Sequence, residues 1–156
     1  MAIGGMAPQN VGSAIVLTDD SEGRGLLLRL GPRDAVPIAL PFGHVLSKGY
    51  DRPLNRDLLY AAIRDLGGDL RSVRIDRLED DVFYASVFLA KGGHSFELDA
   101  RPSDALSLAI GSEVPVFVAE AVLARAGIDI EKFDFRRLRE EPIPIRAGGR
   151  EDGVEL

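Results

Sequence analysis

The chain has 156 residues, of which 46% are hydrophobic, so it is long enough to form one domain around its own core. It contains no cysteine, which excludes a disulfide scaffold, a thiolate metal site and a cysteine nucleophile, and no apolar run approaches the ~20 residues of a membrane-spanning helix. The formal net charge of −6 argues against strong nonspecific binding of nucleic acid, and we expect a cytoplasmic protein without a membrane partner.

The first part of the sequence predicts a β-hairpin after an irregular start. Residues 1–10 combine a Gly-Gly pair with a proline, so we expect a flexible lead. Residues 11–18 and 24–30 are apolar and partly β-branched, and the turn-forming residues between them favour a hairpin. Downstream, Pro37 and Pro41 leave room for at most two short helical pieces.

Residues 55–66 predict the clearest helix. Asn55 is a suitable N-cap residue, and Asp57 lies in the first turn, where the helix dipole favours a carboxylate. A Gly-Gly pair follows at the expected end. The apolar side chains of this helix fall on one stripe, as in an amphipathic helix: Leu58, Leu59, Ala62, Ile63 and Leu66.

Three strands are predicted next, over residues 71–78, 82–90 and 95–100. The second is nearly apolar on both faces, so we expect it to lie centrally in a sheet. Side chains alternate along the third strand. One face carries Phe96, Leu98 and Ala100, and the other carries Ser95, Glu97 and Asp99.

The last part of the sequence predicts a helix over residues 102–110 with a proline in its first position, a short strand over 114–118 and a helix over 119–126. Residues 139–156 are rich in proline, glycine and charge, and we expect a poorly ordered tail after a domain of residues 11–138. Mixed hairpins and helices indicate the α+β class, with a compact mixed β-sheet and packed helices in a single domain.

One junction between a predicted strand and helix concentrates polar chemistry. Glu97 and Asp99 leave the strand on one face, and Arg101, Ser103 and Asp104 follow at the start of the helix. Free N–H groups there attract anions, and Arg101 could clamp a phosphate. Carboxylate oxygens also suit a hard cation such as magnesium. A structural role fits as well, with Asp104 favouring the helix dipole and Arg101 neutralising a nearby carboxylate.

Residues 97–110, ELDARPSDALSLAI, resemble the signature of the bifunctional nuclease family. Residues 114–128, VPVFVAEAVLARAGI, resemble that family's closing strand and helix. Residues 52–59, RPLNRDLL, resemble its helix entry, and residues 30–32 its early strand-to-helix turn. These blocks follow the family's order and spacing. The resemblance implies an α+β fold, frequent pairing as a dimer, and nuclease activity on DNA and RNA.

The sequence departs from the family's pattern at two places. The family has Thr-His at the entry to the second helix, where this chain has Asn55-Arg56. Asparagine keeps the capping chemistry, but the imidazole is lost. Pro37 and Pro41 also interrupt a segment that is helical in the family. Both departures bear on activity more than on fold.

The resemblance leads us to expect a nuclease that requires a divalent cation, magnesium or manganese, and acts on DNA, RNA or both. Glu97, Asp99 and Asp104 would hold the cation, while Asp99, Arg101 and Asp104 are the candidate catalytic residues. Arg101 and Ser103 are the candidate substrate-binding residues. The alternative is a non-catalytic dimeric binding or regulatory module that keeps the family fold, and a hydrolase of another phosphate or ester is a third reading. We expect a homodimer, because exposed edge strands need covering.

The two histidines are separate candidates for a general base at neutral pH. His94 lies in a predicted turn, and His44 lies in the proline-rich segment. A lone histidine is more often structural or simply exposed, so neither is assigned a catalytic role.

The acidic charge is concentrated in the middle of the chain. Residues 61–130 carry seven basic and twelve acidic side chains, whereas residues 1–60 carry six of each. The acidic part is also the part that holds the family signature. We therefore expect any action on nucleic acid to use a bridging cation and a few arginines rather than a basic surface.

Overall fold

A computed structural model of the chain describes residues 2–7, 13–19, 23–39 and 52–134. The strands in these ranges are β1 (Ala2–Ala7), β2 (Ser13–Asp19), β3 (Arg24–Leu30), β4 (Asp69–Glu79), β5 (Val82–Lys91), β6 (His94–Ala100), β7 (Val116–Val118) and β8 (Gly127–Asp129). The helices are α1 (Pro32–Ala39), α2 (Asn55–Asp65), α3 (Pro102–Ser112) and α4 (Glu120–Ala126).

The predicted α+β class is confirmed. The strands are, however, divided between two four-stranded sheets rather than one. None of the helices in the described ranges is long and apolar enough to cross a bilayer.

The first sheet has the order β1-β2-β3-β8 and is antiparallel throughout. The predicted hairpin of β2 and β3 is confirmed. Residues 2–7, which the sequence assigns to a flexible lead, pair with the edge of β2 as strand β1. Gly25 of β3 allows Ile130 and the backbone of Leu17 to pack closely against this strand. A Cβ atom there would lie 2.3 Å from Ile130 Cδ1 and 2.9 Å from the Leu17 carbonyl oxygen.

The second sheet has the order β6-β5-β4-β7 and is mixed, because β7 pairs parallel to β4 while the other pairs are antiparallel. The predicted central position of β5 is confirmed. The turn between β4 and β5 places Asp80 and Asp81 at positive φ, and the turn between β5 and β6 places Gly92 and Gly93 there. Two consecutive residues at positive φ suit the right-handed twist of a tight hairpin.

A single hydrophobic cluster draws on both sheets and the helices. Helix α3 contacts β4 and β5, and its Leu106 is fully buried. The facing side of the second sheet contributes Val73, Ile75, Ala85 and Val87 to this core. Because side chains alternate along a strand, the intervening residues of β4, β5 and β6 lie on the other, outer face of the sheet.

Helix α1 accommodates one of the two prolines expected to limit helix formation. Pro32 begins the helix and Pro37 lies inside it, within a helix of eight residues. The helix therefore fits the expectation of a short piece. Pro41 and His44 lie outside the described residues.

Helix α2 differs from its prediction in its cap and in its buried side. The N-cap is Leu54 rather than Asn55, and the Leu54 N–H donates to Asp57 Oδ2 at 2.9 Å. Three leucines of the predicted stripe are exposed: Leu58, Leu59 and Leu66. The side that meets the rest of the protein carries Arg56, which is 6% exposed, and Tyr60 one turn later. A helical repeat fits both stripes, so spacing alone did not decide between them.

Arg56 joins α2 to α1. Its Nη1 donates a hydrogen bond to the Pro37 carbonyl oxygen, and its Nε lies 3.4 Å from Asp57 Oδ1. The residue that replaces the family's histidine is therefore a buried contact between two helices.

We predict that Arg56→Met lowers the free energy of unfolding by about 1.5–3 kcal/mol, because the partly buried Pro37 carbonyl and the Asp57 carboxylate lose a charged donor. Arg64→Met is the matched control at an exposed position of the same helix, where the guanidinium lies 5.8 Å from the Tyr60 ring, and it should change the free energy by about 0.5 kcal/mol. Denaturant unfolding measures both values. Equal stabilities of the two variants would show that the Arg56 contacts do not hold the helices together.

Candidate functional site

The predicted junction exists, and it bends within one residue. Strand β6 ends at Ala100, Arg101 is the N-cap residue, and α3 begins at Pro102. Proline suits the first helical position because its φ is already helical and it needs no hydrogen-bond acceptor there. The junction separates the candidate residues: Glu97 and Asp99 lie on the outer face of the sheet, and Asp104 lies in the first turn of α3.

Arg101 is held by two carboxylates. Its Nε and Nη2 donate to the two oxygens of Asp104, at 2.8 and 3.1 Å, and Nη2 also lies 3.3 Å from Asp34 Oδ1. These hydrogen bonds, chiefly that to Asp104, raise the pKa of Arg101 above its ordinary value. The side chain is exposed at the surface but engaged with Asp104 of α3 and Asp34 of α1. It therefore links two helices, and a phosphate would meet it only with its carboxylate partners in place.

Ser103 is buried in the first turn of α3. Arg101 and Asp104, on either side of it in the sequence, are exposed. The family signature is thus divided between the core and the surface. The expected contact of Ser103 with a substrate stays a prediction.

Glu97 belongs to a second cluster, which we call the Ser86 cluster and define as Arg74, Asp76, Ser86 and Glu97. The Ser86 hydroxyl lies 2.6 Å from Asp76 Oδ2 and 2.8 Å from Glu97 Oε1. Arg74 donates from Nε to Asp76, and its Nη2 lies 3.6 Å from Glu97 Oε1. Ser86 is 7% exposed and the Asp76 side chain 12%, so this cluster is largely shielded from solvent. Two carboxylates share one hydroxyl hydrogen and one guanidinium.

Asp99 lies beside the Ser86 cluster. The strand register places it directly opposite Ser86, so both side chains are on the outer face. Asp99 is exposed and makes no hydrogen bond or ion pair with another residue of the described ranges. Among the candidate residues it is the carboxylate most open to a ligand.

The predicted cation ligands are not gathered into one site. Across the part of the chain that the structure describes, no three histidine, aspartate or glutamate side chains are grouped so that they could hold a metal ion. Glu97 is engaged by Ser86 and Arg74, and Asp104 by Arg101. Glu97, Asp99 and Asp104 in this arrangement do not fit a three-carboxylate site, and the requirement for a cation stays a prediction.

His94 occupies the predicted turn between β5 and β6 and is exposed. Its Nδ1 lies 3.1 Å from the Gly92 carbonyl oxygen. His94 is thus an exposed turn residue to which we assign no catalytic role, and His44 lies outside the described residues.

Sequence reasoning missed the partners of Glu97 on the two neighbouring strands. Strand β5 was expected to be nearly apolar on both faces, yet Ser86 lies at its centre, between Ala85 and Val87 of the core. A small polar residue in an otherwise apolar strand was the available signal. Arg74 and Asp76 carried a weaker one, because they flank the buried Ile75 in an alternating strand.

Comparison with known proteins identifies the family. The model of the bifunctional nuclease domain matches residues 15–131. The chain is 36% identical over 123 residues to an uncharacterized protein of Mycobacterium tuberculosis. The aligned region covers 78% of this chain and 70% of that protein. It is 26% identical over 118 residues to Bifunctional nuclease 1 of Arabidopsis thaliana, covering 74% of this chain but 36% of the plant protein. The matched range contains both the Arg101 junction and the Ser86 cluster. The chain belongs to the bifunctional nuclease domain family.

Proposed function

We propose that this protein hydrolyses phosphodiester bonds of DNA or RNA on the outer face of its second sheet. The proposal depends on the exposure and position of Asp99. This residue is an exposed carboxylate without a hydrogen-bond or ion-pair partner in the described ranges, and it stands opposite a buried serine. Such a carboxylate can orient water or accept a proton from it. Relatives named bifunctional nucleases share the domain that contains it.

Two arginines are neighbours of Asp99, one across the sheet and one along the sequence. Arg74 belongs to the Ser86 cluster, and Arg101 follows Asp99 by two residues at the end of β6. Both guanidinium groups are partly exposed, so each can offer charge to a phosphate while it keeps its carboxylate partner. We assign the positioning of Glu97 and Asp76 to the Ser86 hydroxyl.

A divalent cation, magnesium or manganese, remains part of the proposal for reasons of charge. Asp76, Glu97 and Asp99 outnumber Arg74 on this part of the sheet, and a phosphate that approaches them is repelled unless the charge is offset. We assign no ligand set to this cation. A cytoplasmic location, which the cysteine-free composition permits, would place the protein with both nucleic acid and magnesium.

We predict that Asp99→Asn lowers the rate of hydrolysis of DNA or RNA by about 100-fold or more, since it removes the proton acceptor but keeps the side-chain shape. Asp81→Asn is the control, because Asp81 is an exposed residue of the β4–β5 turn and asparagine tolerates its positive φ. The assay uses purified protein with magnesium, manganese or a chelator. Wild-type rates in Asp99→Asn would remove Asp99 from the site, and undiminished hydrolysis in chelator would exclude the cation.

A non-catalytic binding or regulatory module is the second candidate function, and the Arg101 junction favours it. The guanidinium ties α3 to α1 through Asp104 and Asp34, as a structural corner would require. An exposed ion pair of this kind contributes about 0–1 kcal/mol to stability. An Arg101→Gln variant that stays folded but loses hydrolysis would decide for the catalytic role.

We also propose that two copies pair through β6. This strand pairs with β5 alone, so none of the described strands occupies its other edge. Phe96 and Leu98 lie on the face that packs against α3 elsewhere in the sheet, yet each is 48% exposed. Exposed apolar side chains on an open strand edge favour pairing with another strand.

The charges on β6 disfavour two registers of this antiparallel pairing and permit one centred on Phe96. With Phe96 opposite its symmetry mate, Ser95 faces Glu97 of the second copy. The registers centred on Glu97 or Leu98 place carboxylates opposite each other, which is unfavourable. The outer faces of the two sheets then continue into each other, with both copies of Asp99 accessible.

We predict that the wild-type protein sediments as a dimer at micromolar concentration and that Phe96→Glu sediments as a monomer, because a buried charge opposes the interface. Phe117→Glu is the matched control, since Phe117 is 54% exposed on the opposite edge strand β7. It should remain a dimer. A dimeric Phe96→Glu, or a monomeric Phe117→Glu, would place the interface elsewhere.

A further inference from the structure

We infer that the outer face of the second sheet is a stacking surface for the bases of single-stranded nucleic acid. The inference rests on the proposed function in that the ligand is nucleic acid, but it concerns binding and not hydrolysis. The surface is defined by Arg74, Arg77, Tyr84, Phe88 and Phe117, and we call it the stacking face.

Two arginine–aromatic stacks form the centre of the stacking face. The Arg74 guanidinium carbon lies 4.9 Å from the centroid of the Phe88 ring, and that of Arg77 lies 4.1 Å from the Tyr84 ring. Tyr84 and Phe88 are four residues apart on β5, so they share a face about 13 Å apart. Ser86 lies midway between them.

A third aromatic ring extends the surface across the sheet. Phe117 of β7 pairs in register with Arg74 of β4, so both side chains are on the same face. Phe117 is among the large apolar side chains most exposed to solvent in the described ranges. Its neighbours Val116 and Val118 pair with the core residues Val73 and Ile75 and point the other way. The exposed ring is therefore fixed at the surface by the strand that bears it.

An irregularity in β4 brings the two arginines to one face. Residues 74 and 77 are three apart and would face opposite sides of a regular strand. The β4–β5 register shifts between Ile75 and Arg77, so Arg74 is opposite Ser86 and Arg77 is opposite Tyr84. One extra residue in a strand is a β-bulge, which re-aims side chains in this way. The bulge also places Asp76 against Ser86.

Flat π-systems and guanidinium planes bind unpaired bases, and they do so with little dependence on sequence. A duplex offers this surface its phosphates instead, because its bases are stacked on one another. Carboxylates on and beside the stacking face oppose those phosphates: Glu79, which lies 3.0 Å from Arg77, together with Asp76, Glu97 and Asp99. The stacking face therefore favours single strands through their bases.

This mode of binding differs from a basic groove in its response to salt. Each phosphate neutralised by a protein cation adds to the salt dependence of the affinity. With two arginines already paired to carboxylates, we expect a slope of log affinity against log salt of about 2 or less in magnitude.

The test is fluorescence anisotropy in chelator with a labelled oligodeoxythymidylate, free or annealed to its complement. We expect the single strand to bind at least about tenfold more tightly than the duplex, and Phe117→Leu to weaken single-strand binding about fivefold or more. Leu59→Ala is the control, because Leu59 is 51% exposed on α2, outside both the stacking face and the proposed β6 interface. Tyr84→Leu, checked for an unchanged melting temperature, tests the central stack.

Absence of single-strand binding, equal binding of the duplex, or equal affinities of Phe117→Leu and Leu59→Ala would each overturn the inference. The anisotropy assay measures binding and not cleavage, so it tests the stacking face separately from the proposed hydrolysis. A protein that cleaves nucleic acid without preferring single strands contradicts the stacking face alone. A protein that shows the expected binding without cleavage supports the stacking face and contradicts the nuclease.

Discussion

Burial of one face of the second sheet against α3 determines where the candidate functional side chains lie. Once Val73, Ile75, Ala85 and Val87 are committed to the core, alternation sends the remaining side chains of β4 and β5 outward. The same alternation in β6 aligns Asp99 with Ser86 and Glu97 with Phe88. The hydrophobic core therefore positions the polar chemistry without any contact of its own with a ligand.

The outer face joins two kinds of interaction that a flat, regular sheet would separate. The bulge in β4 puts Arg74 and Arg77 above aromatic rings and turns Asp76 toward Ser86. Stacking surfaces and a carboxylate cluster thus occupy neighbouring positions on three strands. Strand pairing through β6 would extend this arrangement across a two-fold axis and double its length.

Local features of the chain were predictable from sequence, and long-range partners were not. The start of α3 follows from Pro102, and the two faces of β6 follow from its alternating residues. The β4–β5 register and its bulge depend on how two strands meet, so the neighbours of Glu97 could not be read from spacing. Arg101 posed the same difficulty, because one partner is three residues away and the other, Asp34, is 67 residues away. In α2, two helical stripes competed, and the contact of Arg56 with α1 selected the less apolar one.

The contact between Arg56 and the Pro37 carbonyl has a consequence for how α2 is attached. An imidazole, as in the family's pattern at this position, offers at most two N–H donors. A guanidinium offers five in a fixed planar fork, so the one side chain of Arg56 reaches both the Pro37 carbonyl of α1 and the Asp57 carboxylate of its own helix. The joint between the two helices and the first turn of α2 therefore depend on the same buried side chain.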